Sequence, residues 1–345
     1  MTRPVRKRHH FVPITYLNGW TRSDGRVLAY PADGQGKRLC VRPDEIGFEK
    51  YYYSIELEDG SRDHDSFEDL FGGVESRWPR VLSAIEAGMI GPQEAHWLYS
   101  MMTIMRTRGP AARKFNESVM AVEMRTGVKV FAELGKLPEK LRRYEDQLDT
   151  VPIAVNPQQT LARMSDDMKR FGDLMRPLGF EVLVNETEAP FITSDNPVAY
   201  YDAADPGIRI PYYEGRALEL YFPLSGKHVL HGSPKLLRHG PLPRFRLLRE
   251  PGRVRAINRI TARFAYRFAF AVDDSAADLI GQHSGTSPVA HIRVVRRPKE
   301  IQYHLAHRFA ERPKLNKFRP EICEGHLYDE DFGLPEAVTD RDPMA

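Results

Sequence analysis

The sequence of 345 residues predicts an α+β fold, in which a helical middle segment packs with a small, mostly antiparallel β-sheet. Two patterns indicate this class. Apolar residues recur every three or four positions through residues 66–176, as in amphipathic helices, whereas they alternate with polar residues in segments before and after. Helices and strands are therefore segregated along the chain rather than alternating, which is typical of α+β proteins.

The same patterns divide the chain into segments. We predict a β-meander over residues 9–60, helices over residues 66–176 and a β-rich part over residues 179–300. Residues 1–320 are expected to form one domain, because neither an internal repeat nor a low-complexity linker interrupts them. Residues 321–345 are predicted to be an acidic tail.

The composition excludes several classes of protein. Hydrophobic residues make up 41% of the chain and charged residues 28%, as in an ordinary soluble domain. No apolar run approaches the roughly 18 residues of a membrane span, and the basic N-terminus leads into no secretory signal. Two cysteines are too few for a disulfide scaffold or a cysteine-based zinc module. We therefore expect a cytoplasmic protein with no membrane contact and leave its oligomeric state open.

Charge is balanced overall but uneven along the chain. The net charge is +3, yet residues 44–75 carry eleven acidic residues against two basic ones, and residues 227–270 carry eleven basic residues against one acidic one. The tail is acidic again, with eight acidic residues and one arginine. Two explanations stay open. Either the basic block binds an anionic partner, or the acidic segments fold against it within the same domain.

Residues 255–270 predict an amphipathic helix at the end of the basic block. Its arginines follow one another at intervals of four residues, at Arg255, Arg259, Arg263 and Arg267. Such spacing places them on one helix face, where they would hold phosphates, lie in solvent or pair with the acidic segments. We assign four candidate substrate-binding residues: Ser194, Asn258, Arg259 and Arg263.

Histidines, carboxylates and arginines in separate motifs are the candidates for chemistry, as in an active site assembled from distant segments. A histidine pair near the N-terminus titrates close to neutral pH, so that one of the two is a general base or a metal ligand, or else the pair is simply exposed. The Asp-Asn-Pro turn after an apolar strand either presents a carboxylate rigidly or is purely structural. The candidate catalytic residues are His9, His10, Glu75, Arg106, Asp195 and Asn196.

Arg106 follows the methionine-rich face of its predicted helix and would need a partner if buried, for which Glu75 and Asp195 are the candidates. These carboxylates make a divalent metal ion the candidate cofactor, although its presence stays open. His228 and His231 lie in a predicted strand, where residues three apart face opposite sides and do not form a ligand pair.

Taken together, these motifs resemble a family known only as a domain of unknown function, DUF4238. The resemblance begins at the histidine pair, in the sequence HHFVP, and includes the FITSDNPV segment around Asp195, the YFPLS segment and the helix that carries Asn258. It covers roughly residues 9–272, and Trp20 stands where the family usually has Phe. The resemblance implies no activity, but it implies that His10 and Asp195 belong to one site.

Three functions fit these observations. We favour a hydrolase of phosphodiester or similar anionic substrates, either nucleic acid or a phosphate-containing small molecule. His9 or His10 would be its base, carboxylates would orient that base or hold the metal ion, and Arg106 and Arg259 would stabilise negative charge. The alternatives are a nucleic-acid-binding protein without chemistry, which would use the basic block, and an interaction or regulatory module whose motifs only hold the fold together.

Overall fold

The helices lie mainly in the middle of the chain, as the sequence predicts. The computed structural model describes residues 7–34, 36–148, 153, 155–202, 210–211, 218–297, 300–311 and 326–331. Its helices are α1 (Ile14–Leu17), α2 (Ser66–Glu75), α3 (Trp78–Glu86), α4 (Pro92–Thr107), α5 (Pro110–Glu133), α6 (Glu139–Arg142), α7 (Pro157–Met175), α8 (Pro251–Phe264) and α9 (Ala277–His283).

Two of these helices differ from the prediction. The helical pattern over residues 66–87 is divided between α2 and α3, because Pro79 in the first turn of α3 lacks the N–H group that a continuous helix would use. The helix predicted over residues 255–270 ends at Phe264, since Ala265 adopts an extended conformation with ψ of 134°. Arg267 therefore does not share a helix face with Arg263, and that part of the prediction was wrong.

The strands are short and mostly antiparallel, and this arrangement confirms the α+β class. They are β1 (Arg8–His10), β2 (Val27–Pro31), β3 (Leu39–Val41), β4 (Phe48–Lys50), β5 (Ile55–Glu56), β6 (Arg62–Asp63), β7 (Gly179–Asn185), β8 (Thr193–Ser194), β9 (Ala199–Asp202), β10 (Ile210–Pro211), β11 (Leu218–Pro223), β12 (His228–Ser233), β13 (Arg244–Leu248), β14 (Phe268–Ala271), β15 (Thr286–Arg297), β16 (Glu300–Glu311) and β17 (His326–Asp331).

Strands from distant parts of the sequence share sheets. The largest sheet has the order β13-β7-β12-β11-β9, with β13 parallel to β7 and the other pairs antiparallel. A four-stranded sheet has the order β3-β2-β14-β8, so it joins the N-terminal hairpin to the strand that follows α8. The predicted N-terminal meander is thus distributed over separate sheets, because β1 pairs with β4 and β5 with β6.

A further four-stranded sheet contains the last strands of the chain, in the order β10-β16-β15-β17. β15 and β16 form a long antiparallel pair that extends beyond the predicted end of the β-rich part at residue 300. Strand β17 falls within the predicted acidic tail and pairs in parallel with β15. The rest of that tail, residues 321–325 and 332–345, lies outside the described residues.

One hydrophobic core joins the helices to the largest sheet. Tyr16 of α1 stacks on Phe222 of β11, with ring centroids 5.7 Å apart, and Trp78 of α3 packs beside both rings. The Tyr16 hydroxyl also makes hydrogen bonds to Thr193 and to the carbonyl of Pro223. Over the described ranges, none of the helices has both the length and the apolar character required to cross a membrane.

Candidate functional site

The Asp195–Asn196 turn lies directly against the junction between α4 and α5. A Cβ atom on Gly109, which directly precedes α5, would approach the carbonyl oxygen of Asp195 to 3.2 Å. Because glycine lacks this atom, the two segments approach closely, and the arginines at the end of α4 reach the turn and its surroundings. We call the polar side chains around this point the junction cluster: His9, His10, Glu75, Arg106, Arg108, Asp195 and Asn196.

The Asp195 carboxylate is buried and accepts hydrogen bonds from the backbone. The N–H group of Tyr266 donates to Oδ1 at 2.8 Å, and that of Arg267 donates to Oδ2 at 2.7 Å. The backbone N–H of Asp195 itself donates to the carbonyl of Phe268. These bonds satisfy a buried carboxylate and fix the chain between α8 and β14 against the turn.

Asn196 connects the turn to α4 and to α8. Its Oδ1 atom accepts a hydrogen bond from Arg106 at 3.0 Å, and its Nδ2 atom donates to the carbonyl of Phe264 at 3.0 Å. The Arg106 guanidinium also donates to the hydroxyl of Tyr200, and it lies 4.8 Å from the centroid of the ring. Arg106 is thus buried with an amide and an aromatic ring as neighbours.

Arg108 makes the ion pair that the sequence analysis considered for Arg106. Its guanidinium donates to Glu75 at 2.5 Å, to the carbonyl of Phe11 at 3.1 Å, and to the carbonyl of His10. Burial by itself lowers the pKa of Arg108, but the carboxylate of Glu75 outweighs that effect, and the pKa lies above its ordinary value. The pair therefore holds the N-terminal histidine segment against α2 and α4.

The two adjacent histidines have different surroundings. His9 is fully buried, and its Nδ1 atom accepts the backbone N–H of Tyr53 at 2.9 Å, so that nitrogen carries no proton. His10 packs on Phe48, and its buried Nε2 atom has no hydrogen-bond partner among the described residues. Burial is the main cause that lowers the pKa of His10, which favours the neutral imidazole.

Two of the candidate substrate-binding residues are buried and hydrogen-bonded to the backbone. The Asn258 side chain accepts the N–H of Ile192 at 3.1 Å and donates to the carbonyl of Pro190 at 2.9 Å. Ser194 accepts the N–H of Asn196 through its hydroxyl. Both side chains stabilise the segment that leads into the Asp195 turn.

The other two candidates lie on the exposed side of α8. Arg255 and Arg259 are exposed, and Arg263 is half-buried with its guanidinium 3.9 Å from the ring centroid of Phe309. Among the side chains that the structure describes, none is a carboxylate within ion-pairing distance of these three guanidinium groups. Burial and the neighbouring Arg259 both lower the pKa of Arg263. We call Arg255, Arg259 and Arg263 the arginine face.

Arg267 turns from the end of α8 toward the junction cluster. Its guanidinium pairs with Glu49 and lies 5.2 Å from the ring centroid of Phe11. Glu49 is also the cross-strand neighbour of His9 in the β1–β4 pair. The ion pair thus links the N-terminal motif to the Asp195 turn. This role was not predicted, because the helix was expected to continue to residue 270.

A second polar cluster, which the sequence analysis also missed, lies on the largest sheet. His231 contacts Glu181 through Nδ1 at 2.7 Å and Glu219 through Nε2. Arg246 pairs with Glu181 at 2.8 Å. Burial by itself lowers the pKa of His231, but hydrogen bonds to the two carboxylates outweigh it, so the pKa is raised. The sequence signal for this cluster is the period-two spacing of Glu219 and Tyr221, which places both side chains on one face of β11. Tyr221 lies opposite His231 in the register, so Glu219 is on the same face as the imidazole.

The candidate divalent metal ion has no ligand set in the described structure. The described stretches of the chain contain no group of three or more His, Cys, Asp or Glu side chains placed to hold a metal ion. His228 and His231 lie in one strand three residues apart, as predicted, and so face opposite sides of the sheet.

Fold and site together define an α+β protein in which helices of the middle segment fix an N-terminal histidine motif and an Asp-Asn-Pro turn around one helix junction. The chain belongs to the DUF4238 family, whose model, described as a protein of unknown function, matches residues 8–275. All residues of the junction cluster and the arginine face lie within this range. Searches of curated proteins and of solved structures found no match.

Proposed function

We propose that this protein binds a phosphate-containing polyanion, with the nucleic acid backbone as the ligand, on the arginine face of α8. The observation that supports this proposal is the set of three arginines that follow one helix face without a carboxylate partner among the described side chains. Guanidinium groups bind phosphate oxygens through parallel N–H bonds, so an unpaired row of them favours phosphate ligands.

The length of the arginine face favours an extended ligand over a single ion. A helix rises about 1.5 Å per residue, so Arg255 and Arg263 are roughly 12 Å apart along the axis of α8. One phosphate group is too small to contact both ends, whereas a chain of phosphates contacts the whole face. Arg263 is also held in place by the ring of Phe309, which lowers the entropy lost when it binds.

A titration of a fluorescent oligonucleotide at several salt concentrations tests this proposal. Three phosphate contacts on a single strand give a slope of log K against log salt of about −2, and removal of one contact makes the slope shallower by about 0.7. Arg259→Ala is therefore expected to weaken binding and to flatten the salt dependence. Arg176→Ala removes one exposed charge elsewhere and is the matched control. Equal affinities of these two variants would contradict the proposal.

Hydrolysis of a phosphodiester at the junction cluster is the second candidate function. The observation that favours it is the buried Nε2 atom of His10, which has no partner among the described residues and which belongs to a ring whose pKa is lowered. A neutral imidazole with an unpartnered nitrogen is a proton acceptor, and in this role it would act on a water molecule that substrate binding brings to the buried Nε2 atom. His10→Ala should abolish cleavage of the oligonucleotide while its affinity stays unchanged, and the exposed His96→Ala should leave both unchanged. Cleavage by the His10 variant at the wild-type rate would refute this role.

We expect the protein to act in the cytoplasm. This expectation rests on the two cysteines of the sequence, since proteins of oxidising compartments commonly use more of them for disulfides. A fusion to a fluorescent protein followed by cell fractionation tests it, and recovery of the protein in a membrane or secreted fraction would count against it.

A further inference from the structure

His283 is held beside the arginine face by the packing of α9 on α8. The buried Leu279 and Ile280 of α9 share an apolar cluster with Ala262 of α8. His283 ends the helix, and the chain after it is anchored twice. The Ser284 hydroxyl donates to the carbonyl of Ile280, and the N–H of Gly285 donates to the carbonyl of Ala32, both at 2.7 Å. His283 follows Leu279 by one turn, on the side of α9 that packs on α8, so its backbone is held beside α8.

The charges that act on this imidazole are positive. Burial has the largest effect and lowers the pKa of His283, and Arg263, Arg259 and Arg255 lower it further, in that order. Described carboxylates on the surrounding elements include Asp273 and Asp274 before α9, Asp278 in its first turn, and Asp33 in the loop after β2. The charged groups that change the pKa of the imidazole are the three guanidinium groups and not these carboxylates.

We propose that His283 is a proton-coupled member of the phosphate site, which takes up one proton from solvent when phosphates bind to the arginine face. This inference rests on the proposed function and adds a fourth ligand group to it. A neutral imidazole would offer a phosphate one N–H donor, whereas an imidazolium offers two and also a charge. Bound phosphates cancel the repulsion from the arginines and so stabilise the protonated ring.

The sign of the pH dependence follows from this arrangement. In the free protein the pKa of His283 is lowered, so the ring is neutral at and above neutral pH. In the complex its pKa is higher, because anionic phosphates favour the cation. Affinity therefore rises as the pH falls between the pKa of the complex and that of the free protein. A single coupled proton limits this rise to about tenfold per pH unit.

The test is a binding titration of the full-length protein with a fluorescent thymidine oligonucleotide that has hydroxyl ends. Its phosphodiesters keep their charge around neutral pH, so that the titrating groups belong to the protein. We expect the Kd of the wild type to fall severalfold from about pH 8 to about pH 6 at constant ionic strength. His283→Gln should bind with a Kd that changes markedly less over this range.

Calorimetry in buffers of different ionisation enthalpy provides the second measurement, since it counts protons taken up on binding. We expect uptake with the wild type and a clear loss of that uptake with His283→Gln. His96→Gln is the matched control, because His96 is an exposed histidine on α4, and it should behave as the wild type does. Melting curves establish that both variants are folded.

The outcomes separate this inference from the proposed function. Binding that depends on Arg259 but shows the same pH dependence and proton uptake in His283→Gln as in the wild type overturns the role of His283 alone. Absence of oligonucleotide binding at every pH overturns the proposed function and, with it, the proton coupling. Loss of the pH dependence in His283→Gln but not in His96→Gln supports the proposal.

Discussion

At the scale of single residues, the buried polar side chains around the helix junction bind mainly to backbone atoms. Asp195 accepts two N–H groups, Asn258 spans an N–H and a carbonyl, and Arg108 binds two carbonyls besides Glu75. Side chains used in this way specify the path of the chain, because each one satisfies backbone groups that no strand or helix pairs. Their loss should therefore be visible in stability before it is visible in any activity.

Asp195→Asn is expected to lower the free energy of unfolding by about 1–3 kcal/mol. The amide keeps one acceptor but places an NH2 group against a backbone N–H, so one buried donor loses its partner. Urea titration measures the change. The control is Asp273→Asn, which makes the same substitution at an exposed aspartate that accepts the N–H of Ser275. If the two variants lose equal stability, the buried hydrogen bonds of the Asp195 carboxylate contribute no more to the free energy of unfolding than those of an exposed aspartate.

The polar cluster on the largest sheet should make stability depend on pH in both directions. The raised pKa of His231 contributes stability below its unfolded pKa of about 6.5, and this contribution disappears as the pH rises through the folded pKa. Burial raises the pKa values of Glu181 and Glu219, but their bonds to His231 outweigh it and lower them. Their contribution therefore exists above the unfolded pKa and disappears as the pH falls through the folded one.

His231→Gln tests this dependence. Removal of the imidazolium leaves two carboxylates close together with one partner fewer, and we expect a loss of about 3 kcal/mol near neutral pH. The difference in unfolding free energy between wild type and variant should shrink as the pH rises above neutral. A difference that stays constant from neutral to alkaline pH would show that the ring is not charged in the native state.

At the scale of elements, the junction between α4 and α5 explains why the site was only partly predictable. The sequence predicted that Arg106 lies near the end of a helix and that it would need a partner if it were buried. Two positions along a helix correspond to about 200° around its axis, so Arg106 and Arg108 face different neighbours. Glu75 pairs with Arg108, and Arg106 binds Asn196. Which arginine meets which partner depends on how three helices pack, and spacing within one segment does not contain that information.

A matched pair of glycine substitutions tests the close approach at this junction. Gly109→Ala is expected to destabilise the protein by about 1–2 kcal/mol, because the new Cβ atom would lie 3.2 Å from the Asp195 carbonyl oxygen. Gly127→Ala within α5 meets no atom within 4 Å and should stabilise it by about 0.5–1 kcal/mol. Thermal melts compare the two. A stabilising effect of both substitutions would mean that the turn moves away from the junction without cost.

At the scale of the whole molecule, the segregation of helices and strands was predictable, whereas the sheet partners were not. Period and turn residues are local signals, and they located α4 and β12 well. The pairing of β2 with β14 joins residues more than two hundred positions apart, and no local signal specifies it. The predicted position of Arg267 was wrong for a related reason, because the residues that directly follow it pair with β2 instead of continuing the helix. Whether the acidic and basic segments neutralise one another also depends on contacts between distant segments.

The shared core predicts a single cooperative unfolding transition for the family segment. Buried residues from Phe11 to Phe270 belong to one cluster, which includes Trp20 and Trp78. Tryptophan fluorescence and far-ultraviolet circular dichroism should therefore give coincident urea transitions, since loss of the core removes helices and sheet together. Two separated midpoints would show that the helical segment and the β-rich part unfold as independent units.

Two amide side chains attach α8 to the chain around Asp195. Asn258 of α8 binds the segment before the turn, and Asn196 in the turn binds the end of α8. The first attachment has a consequence for hydrogen exchange. The N–H of Ile192 lies outside any strand, yet it is buried and donates to Asn258 of α8. Its exchange with deuterium then requires the helix to separate from the segment, or the whole core to open. The exchange rate of this one amide thus reports how firmly α8 is seated, and a ligand on the outer face of the helix would slow that rate from the far side.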